Sequence, residues 1–509
     1  MRIQEAYYVI RAIPPAYISL MFIVLLLGLC LSNAPVFGDP DTAWHMAAGD
    51  QIRSQHAIPQ TDSWSFTADS ERWYNLSWLF DMAMSKLFAV GGFTALYVLT
   101  VLIFTCSLIF MAHLSIKRGA SLLAVFLVTF FALLILYGGV SMRPTMCSIV
   151  LALAFYYFLG RYRDTGKPCY MCVLPGLMAF WVNLHGGFLI AYVIMASFVI
   201  EALWQRDRNR LRQYGIIIAL CMSVSLINPY GFAIYYGAWR TLHSSIAPNV
   251  SEWQPVAIGH NVPITFLFLL FLVTFNATDK RIPLADRILS VAMLLLSLMS
   301  IRYSLFACLL LIPTLSLRLS IILLESKYAA RWQKWDDGVM LDMYKTDIRI
   351  GMACMAIALL AFISIPSSVH NRLMESATGF PRKKNPVLEA EFIEQNYPSL
   401  RFMTDYNLGG YLDYLWRGRV KVFVDGRANS LYSDDLLQDY TEFMGNSGFG
   451  GRATAIVSQY HLEGMLIGNQ DKNATLWEWN PYWKSVYHGE VATVFVRTDL
   501  AKTRKARWN

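Results

Sequence analysis

GDPDTAWH, Gly38 to His45, is the stretch on which the reading of the fold turns. Just before it, Ala16 to Asn33 is an apolar run long enough, at about 1.5 Å of helix per residue, to cross most of a hydrocarbon core. After it, a polar region extends to Gly92. That region carries Asp39, Asp41, Asp50, Asp62, Asp69 and Glu71 against Arg53, Arg72 and Lys86. An acidic connector directly after a span belongs on the outer side of a membrane, because Lys and Arg accumulate on the cytoplasmic side. Arg2 and Arg11 ahead of the apolar run also fit a signal peptide. The run is long and no small-x-small site follows it cleanly, so it is expected to stay as the first transmembrane helix.

Working outward, apolar stretches recur at Phe93–Ala112, Ser121–Val140, Thr145–Leu159, Tyr170–Leu184, Gly187–Trp204, Tyr214–Ile227, Pro263–Phe275, Ile288–Ser300, Ser304–Leu324 and Ile350–Ile365. With the first run this makes about eleven spans, several below the roughly 17 residues a full crossing prefers. Charge gives an independent check. Lys117 and Arg118, then Arg161, Arg163 and Lys167, then Arg206, Arg208, Arg210 and Arg212, then Lys280, Arg281 and Arg287, then Lys327, Arg331 and Lys334 fall in alternate connectors. That alternation expects a cytoplasmic N-terminus and places everything after Ile365 outside the cytoplasm.

Composition agrees with a membrane protein. Of 509 residues, 56% are hydrophobic and only 15% charged, and mean hydropathy is +0.40, whereas soluble domains are about 25% charged. The 31 Gly, 19 Pro and 14% aromatic content exclude collagen-like and disordered chains. The net charge of +8 is divided among short inner loops, so nucleic acid is not an expected partner. Cys169 and Cys172 form a lone C-x-x-C, short of the four ligands of a structural zinc site.

Within the first outer segment, Trp73, Trp78, Leu79, Phe80, Met84, Leu87 and Phe88 recur at helical spacing. They describe either an amphipathic helix in the membrane interface or a helix packed on the membrane domain. The tail differs in kind. Phe402–Met403, Val420–Val424, Met465–Ile467 and Val491–Val496 are strand-like, and Pro386–Asn396, Ser433–Met444 and Arg452–His461 are helical candidates. Such alternation expects a small α/β domain, 370–509, after a membrane domain, 1–369, that includes the outer loop 34–92.

Polar clusters fall at the outer ends of the spans: GDPDTAWH, SMRPT (Ser141–Thr145), WVNLHGG (Trp181–Gly187), NPYG (Asn228–Gly231), SEW (Ser251–Trp253) and SIRY (Ser300–Tyr303). Ionisable groups at the hydrocarbon boundary face a protein interior or a wet cavity. Asp39 and Asp41 can serve as a general base or bind a divalent cation. Arg143, Arg302 and His185 supply positive charge suited to a leaving phosphate. His45, Asn183, Tyr230, Glu252 and Tyr303 are candidate substrate-binding residues in the same clusters. Structural roles compete with each assignment. Asp39 can cap the helix starting near Thr42, and Asp41 can pair with Arg53 or Arg72. Arg143 and Arg302 can snorkel to headgroups, and His185 can be a packing histidine. In the tail, Asp425-Gly426-Arg427 is either functional at a strand end or a turn with an Asp–Arg pair.

GDPDTAWHMAAGDQIRSQHAIPQTDSWSFT with WYNLSWLFD resembles the first outer loop of bacterial polytopic GT-C-type glycosyltransferase-like membrane proteins. WVNLHGGFL, INPYG, SIRYSLF and the tail segment DYNLGGYLDYLWRGRVKVFVDGR resemble later parts of that group. The resemblance implies a GT-C architecture in the bacterial inner membrane with the tail domain extracytoplasmic. It implies a polyprenyl-phosphate-linked sugar as donor, and a glycan, lipid or protein acceptor in the cell envelope. An acidic residue just after the first helix is the family's usual base, which carries that role to Asp41 first and Asp39 second. Arg143, His185 and Arg302 are then the donor-phosphate candidates. Metal use varies across the superfamily. A lipid-linked sugar transporter and a non-catalytic envelope-glycan binding or assembly protein on the same scaffold are the competing readings.

Overall fold

The computed structural model describes residues 39–139, 141–243, 253–257, 259, 261–275, 282–334, 380, 384–445, 450–471 and 474–504. The expected first span Ala16–Asn33, the last span Ile350–Ile365 and Glu252 lie outside the described residues.

The chain enters at α1 (Asp41–Gln55), crosses the loop of residues 56–77 and continues into α2 (Trp78–Lys117). The long α2 is two helices joined at Gly92, whose φ of 58° and ψ of −158° are closed to residues with a Cβ. Before the break α2 packs along α1, burying Phe80 and Met84. So tight is this contact that a Cβ on Gly49 would lie 2.0 Å from the Asp81 carbonyl oxygen. The helix expected in this segment is observed, packed on α1. It also begins later than the spacing predicts. Trp73 is not on it but lies 2% exposed beside Trp44 and Trp64. Burying an aromatic ring of that size removes roughly 150–250 Å² from water.

Beyond the break, Ala95–Lys117, Thr145–Thr165 and Gly186–Trp204 are long and apolar enough to cross a membrane. α3 (Ser304–Leu310) with its preceding 3-10 turn and α4 (Ile312–Glu325), bent by 57°, are together long and apolar enough for a broken span or a re-entrant loop. Pro313 stands in the first turn of α4, where it can start a helix but not continue one from before. Leu122–Leu136, Cys169–Leu184 and Val262–Val273 are shorter apolar helices. Arg208–Val224 and Leu284–Met299 complete the set that overlaps the expected stretches.

The tail forms a four-stranded mixed sheet in the order β1-β2-β4-β3: β1 (Phe402–Thr404), β2 (Gly464–Gly468), β3 (Trp483–His488) and β4 (Ala492–Arg497). β1 and β2 run parallel with Met403 opposite Met465. β4 is antiparallel to both β2 and β3, with a register shift between Ser485 and Tyr487. The helices Val387–Asn396, Asp434–Gly445 and Gly451–Tyr460 match expectation to within a residue or two. Val420–Val424 does not: it is no strand of the sheet. Val422 makes an isolated bridge to Ser65, its N–H donating to the Trp64 carbonyl at 3.0 Å while Phe66 N–H donates back at 3.1 Å. The first outer loop therefore supplies the partner that a sheet neighbour would have supplied. The helix α5 (Tyr406–Trp416) and strand β3 are additions to the sequence reading. Trp44, Trp64 and Trp73 of the loop share one apolar core with Phe423, Tyr432, Phe443 and Trp477 of the tail.

Candidate functional site

The helix α1 begins at Asp41, and Asp39 sits just outside it. Asp39 Oδ1 accepts the Asp41 N–H at 3.0 Å, across the Pro40 turn that leads into the helix. The same carboxyl also takes the Arg143 Nε–H through its other oxygen. Arg143 Nη1 lies 3.2 Å from Asp41 Oδ2, and Trp44 Nε1 donates to Asp41 Oδ1 at 3.2 Å. One guanidinium thus bridges two carboxylates that the sequence separates by about a hundred residues from it. Burial works to raise the Asp39 carboxyl, but the charge and hydrogen bond of Arg143, with the Asp41 N–H, hold it below the usual range. The two acids differ in access: the Asp39 side chain is 3% exposed and that of Asp41 20%.

The tail closes over this pair. A Cβ on Gly426 would lie 2.1 Å from Asp41 Oδ1, and one on Gly410 would lie 2.5 Å from the Pro40 carbonyl oxygen. At Gly410 the obstacle is the backbone of the loop, and at Gly426 it is the Asp41 and Trp44 side chains. Arg417 also donates to Asp50 at 2.6 Å across the same seam. Deeper in it, Arg427 donates to Asp62 at 2.6 Å and to both oxygens of Asp425, between the rings of Trp64 and Trp73. Asp425 and Arg427 are the Asp–Arg pair the sequence offered as the structural alternative, extended by Asp62. Burial opposes both charges. Arg427 holds the Asp425 carboxyl below the usual range, and Asp425, Tyr432 and Asp62 raise Arg427 well above its own.

His45 follows Asp41 by one helical turn and is buried. Its Nδ1–H donates to Asp81 Oδ1 at 2.7 Å, and Asn75 Nδ2 donates to the other Asp81 oxygen at 2.8 Å. His185 caps the short turn Gly186–Phe188. Its Nδ1 accepts from the Gly187 N–H at 3.2 Å, so that nitrogen carries no proton. Trp181 N–H donates to Ser148 Oγ at 2.7 Å, which leaves the Ser148 hydroxyl to donate to His185 Nδ1, also at 2.7 Å. The proton of the neutral ring is then on Nε2, a donor. Burial, then the electrostatic influence of Arg302 and of the His45 ring, push His185 well below its ordinary value. Asp39 feels His45 as well, so Asp39, Arg143, His45, His185 and Arg302 share one electrostatic neighbourhood.

Arg302 lies in the turn Ile301–Tyr303, which the Ile301 N–H ties to the Gln254 carbonyl at 2.9 Å. Its guanidinium stacks on Trp253 at 5.0 Å and has no carboxylate partner among the described residues. Tyr303 is beside it and half-buried. Tyr230 and Asn183 act as braces for the outer loop. The Tyr230 hydroxyl accepts the Asn75 N–H at 2.9 Å. Asn183 accepts from Trp78 Nε1 at 2.9 Å and donates to the Ala179 and Ile227 carbonyls, both at 2.8 Å. The partner Ser148 went unseen in sequence, because it is a lone hydroxyl within the apolar part of its helix. Among the described residues no three His, Cys, Asp or Glu side chains converge as metal ligands. Asp39 and Asp41 are turned onto Arg143, so this arrangement does not fit a divalent cation.

The opposite polar end is equally built. Thr145–Thr165 runs 21 residues from Arg143, about 30 Å, to a buried network in which Arg118 donates to Asp286 and Tyr156 and Arg163 pairs with Asp286.

No protein-family model matches the sequence, and no curated protein does. Solved structures do match in shape. The Archaeoglobus fulgidus oligosaccharyltransferase tethered to an acceptor peptide containing the NVT sequon aligns with TM-score 0.54 at 10% identity, over 94% of this chain and 74% of that one. The oligosaccharyltransferase AglB of the same organism, in complex with an inhibitory peptide and a dolichol-phosphate, gives 0.51 at 10% identity over 92% and 72%. ArnT of Cupriavidus metallidurans in the apo state gives 0.49 at 12% identity over 93% and 97%. The class that this fold defines is a polytopic helical membrane protein with a small sheet-containing unit. More particularly, the fold is GT-C-like, shared with the Archaeoglobus fulgidus oligosaccharyltransferase structures.

Proposed function

We propose that the protein transfers a glycosyl group from a polyprenyl-phosphate carrier to an acceptor outside the cytoplasm. The observation that carries this reading is the cluster of Asp39, Asp41 and Arg143 at one polar end, with Arg302 and a neutral His185 in the same electrostatic neighbourhood. Asp41, the more exposed acid, accepts the proton of the acceptor nucleophile as the bond to the sugar forms. Asp39, bonded to the Asp41 N–H and clamped by Arg143, fixes the loop that presents Asp41. The sugar–phosphate bond breaks with its electrons going to the phosphate oxygen. Arg302, free of carboxylates among the described residues, and His185 Nε2–H stabilise that charge. Arg143 already bridges two carboxylates, so its contribution is first to hold the base.

The remaining parts of the reading go with it. The protein has about eleven spans with a cytoplasmic N-terminus, in a bacterial inner membrane. Residues 370–509 form an extracytoplasmic domain over the site, and the acceptor is an envelope glycan, lipid or protein. The deposition of Arg118, Arg163 and Asp286 about 30 Å from Arg143 supports opposite faces for the two polar ends. Asp41→Asn and Asp39→Asn, assayed separately in proteoliposomes for turnover of polyprenyl-phosphate-linked sugars, test the assignment. Asp41→Asn is expected to abolish turnover and Asp39→Asn to reduce it. Full turnover in both variants refutes the proposed base.

A further inference from the structure

We propose that the end of the helical bundle opposite the Asp39–Arg143 cluster holds a binding site for the phosphate of an anionic lipid, built on Arg318. Arg318 lies on α4 and is 3% exposed. Its guanidinium is stacked over Phe271 at 4.8 Å and Phe275 at 5.8 Å. Its Nε and Nη1 are buried and have no hydrogen-bond partner. A buried cation with two idle donors is costly, and native chains retain one where something completes it.

The chain itself does not complete it among the described residues. The buried acid Asp286 is already taken by Arg118 at 2.8 Å and Arg163 at 3.4 Å. The charge that acts on Arg318 is Arg287, of the same sign, whose Nε donates to the Ile282 carbonyl. What Arg318 lacks is an anion, and the two idle donors of its guanidinium suit a phosphate.

Depth identifies the source. Leu317 and Ile321, flanking Arg318 on α4, pack against Ile116, Ala120 and Ile282. Ser320 Oγ accepts the Ser121 N–H at 2.8 Å. Arg318 is therefore level with the end of Ala95–Lys117, where a span meets headgroups. Beside it Phe275 is 54% exposed, so the flank of the stack is open to lipid. Apolar walls and two aromatic rings suit a headgroup still joined to its acyl chains better than a hydrated free ion. This site is independent of the transferase reading.

The test compares wild type with Arg318→Met, which fills the same volume without the charge. Thermal unfolding is followed in nanodiscs of phosphatidylcholine and of phosphatidylglycerol. Phosphatidylglycerol is expected to raise the wild-type Tm by about 2 °C or more over phosphatidylcholine, and the gain is expected to vanish in Arg318→Met. In phosphatidylcholine the variant should melt at or above wild type, because an uncompensated charge is gone. An equal gain in both proteins overturns the proposal. Inorganic phosphate reproducing the gain in phosphatidylcholine overturns the lipid assignment. If Arg318→Met does not fold, native mass spectrometry of the wild type decides: selective retention of phosphatidylglycerol supports the site, and equal retention of both lipids overturns it.

Discussion

Gly426→Ala is the sharpest perturbation the geometry offers. The backbone of Gly426 is outside the left-handed region, so alanine costs nothing in φ. The whole effect is steric. The new Cβ would lie 2.1 Å from Asp41 Oδ1, 3.2 Å from its Cγ and 2.9 Å from Trp44 Nε1. Restoring ordinary contact near 3.4 Å requires a shift of about 1.3 Å between the tail and the acidic loop. A misplacement of about 1 Å at a reacting group costs on the order of 100-fold in rate. Turnover of a polyprenyl-phosphate-linked sugar in proteoliposomes should therefore fall on that scale, carried by kcat. The Tm should move little, because the atoms that must give belong to side chains. Wild-type kcat in a folded Gly426→Ala protein would refute the claim that the tail sets the position of Asp41. Gly410→Ala meets a backbone oxygen at 2.5 Å instead, so there the loss should appear in stability as well.

Arg427→Gln leaves Asp62 and Asp425 buried without their cation. It should destabilise the seam between tail and loop by about 3–5 kcal/mol, read by urea unfolding; a loss under about 1 kcal/mol would contradict a buried ion-pair anchor. Arg143→Lys keeps the charge, but one ammonium cannot reproduce the planar bridge to Asp39 and Asp41. Turnover should drop at least about tenfold with insertion unchanged, and activity within about twofold of wild type would argue against the bridge. Asp413 gives a pH signature. It is 1% exposed and its oxygens have no hydrogen-bond donor. Burial, then the charge of Asp425, hold its carboxyl well above the usual range. A raised folded value means its stabilising contribution is full below the ordinary carboxylate pH of about 4. That contribution is lost as pH rises toward the raised value. Asp413→Asn should flatten that decline in a pH series of thermal melts; an unchanged slope would exclude Asp413 as its source.

Periodicity and charge made the membrane helices legible because both are local properties of a segment. The outer-end clusters were legible because polar residues are conspicuous beside apolar runs. Three features were not, and each depends on a partner distant in sequence. Val420–Val424 has strand composition, yet its hydrogen bonds go to Trp64 and Phe66 of the first loop. Tyr406–Trp416 carries Gly409 and Gly410, whose place in a helix makes sense only with Asp425 and Pro40 against them. Arg143 reads as an anchor or a phosphate ligand, and only the fold brings Asp39 and Asp41 onto it. Composition likewise gave no hint that the tail and first loop share one tryptophan-rich core.

The central claim is that Asp39, Asp41, Arg143, His185 and Arg302 surround one phosphate-bearing donor. A structure with polyprenyl phosphate bound tests it directly. The phosphate is expected within hydrogen-bond reach of Arg302 and His185 Nε2, facing the Asp39–Asp41 loop. A phosphate seated elsewhere, with Arg302 still resting on Trp253 and no ligand atom near Asp41, would contradict it.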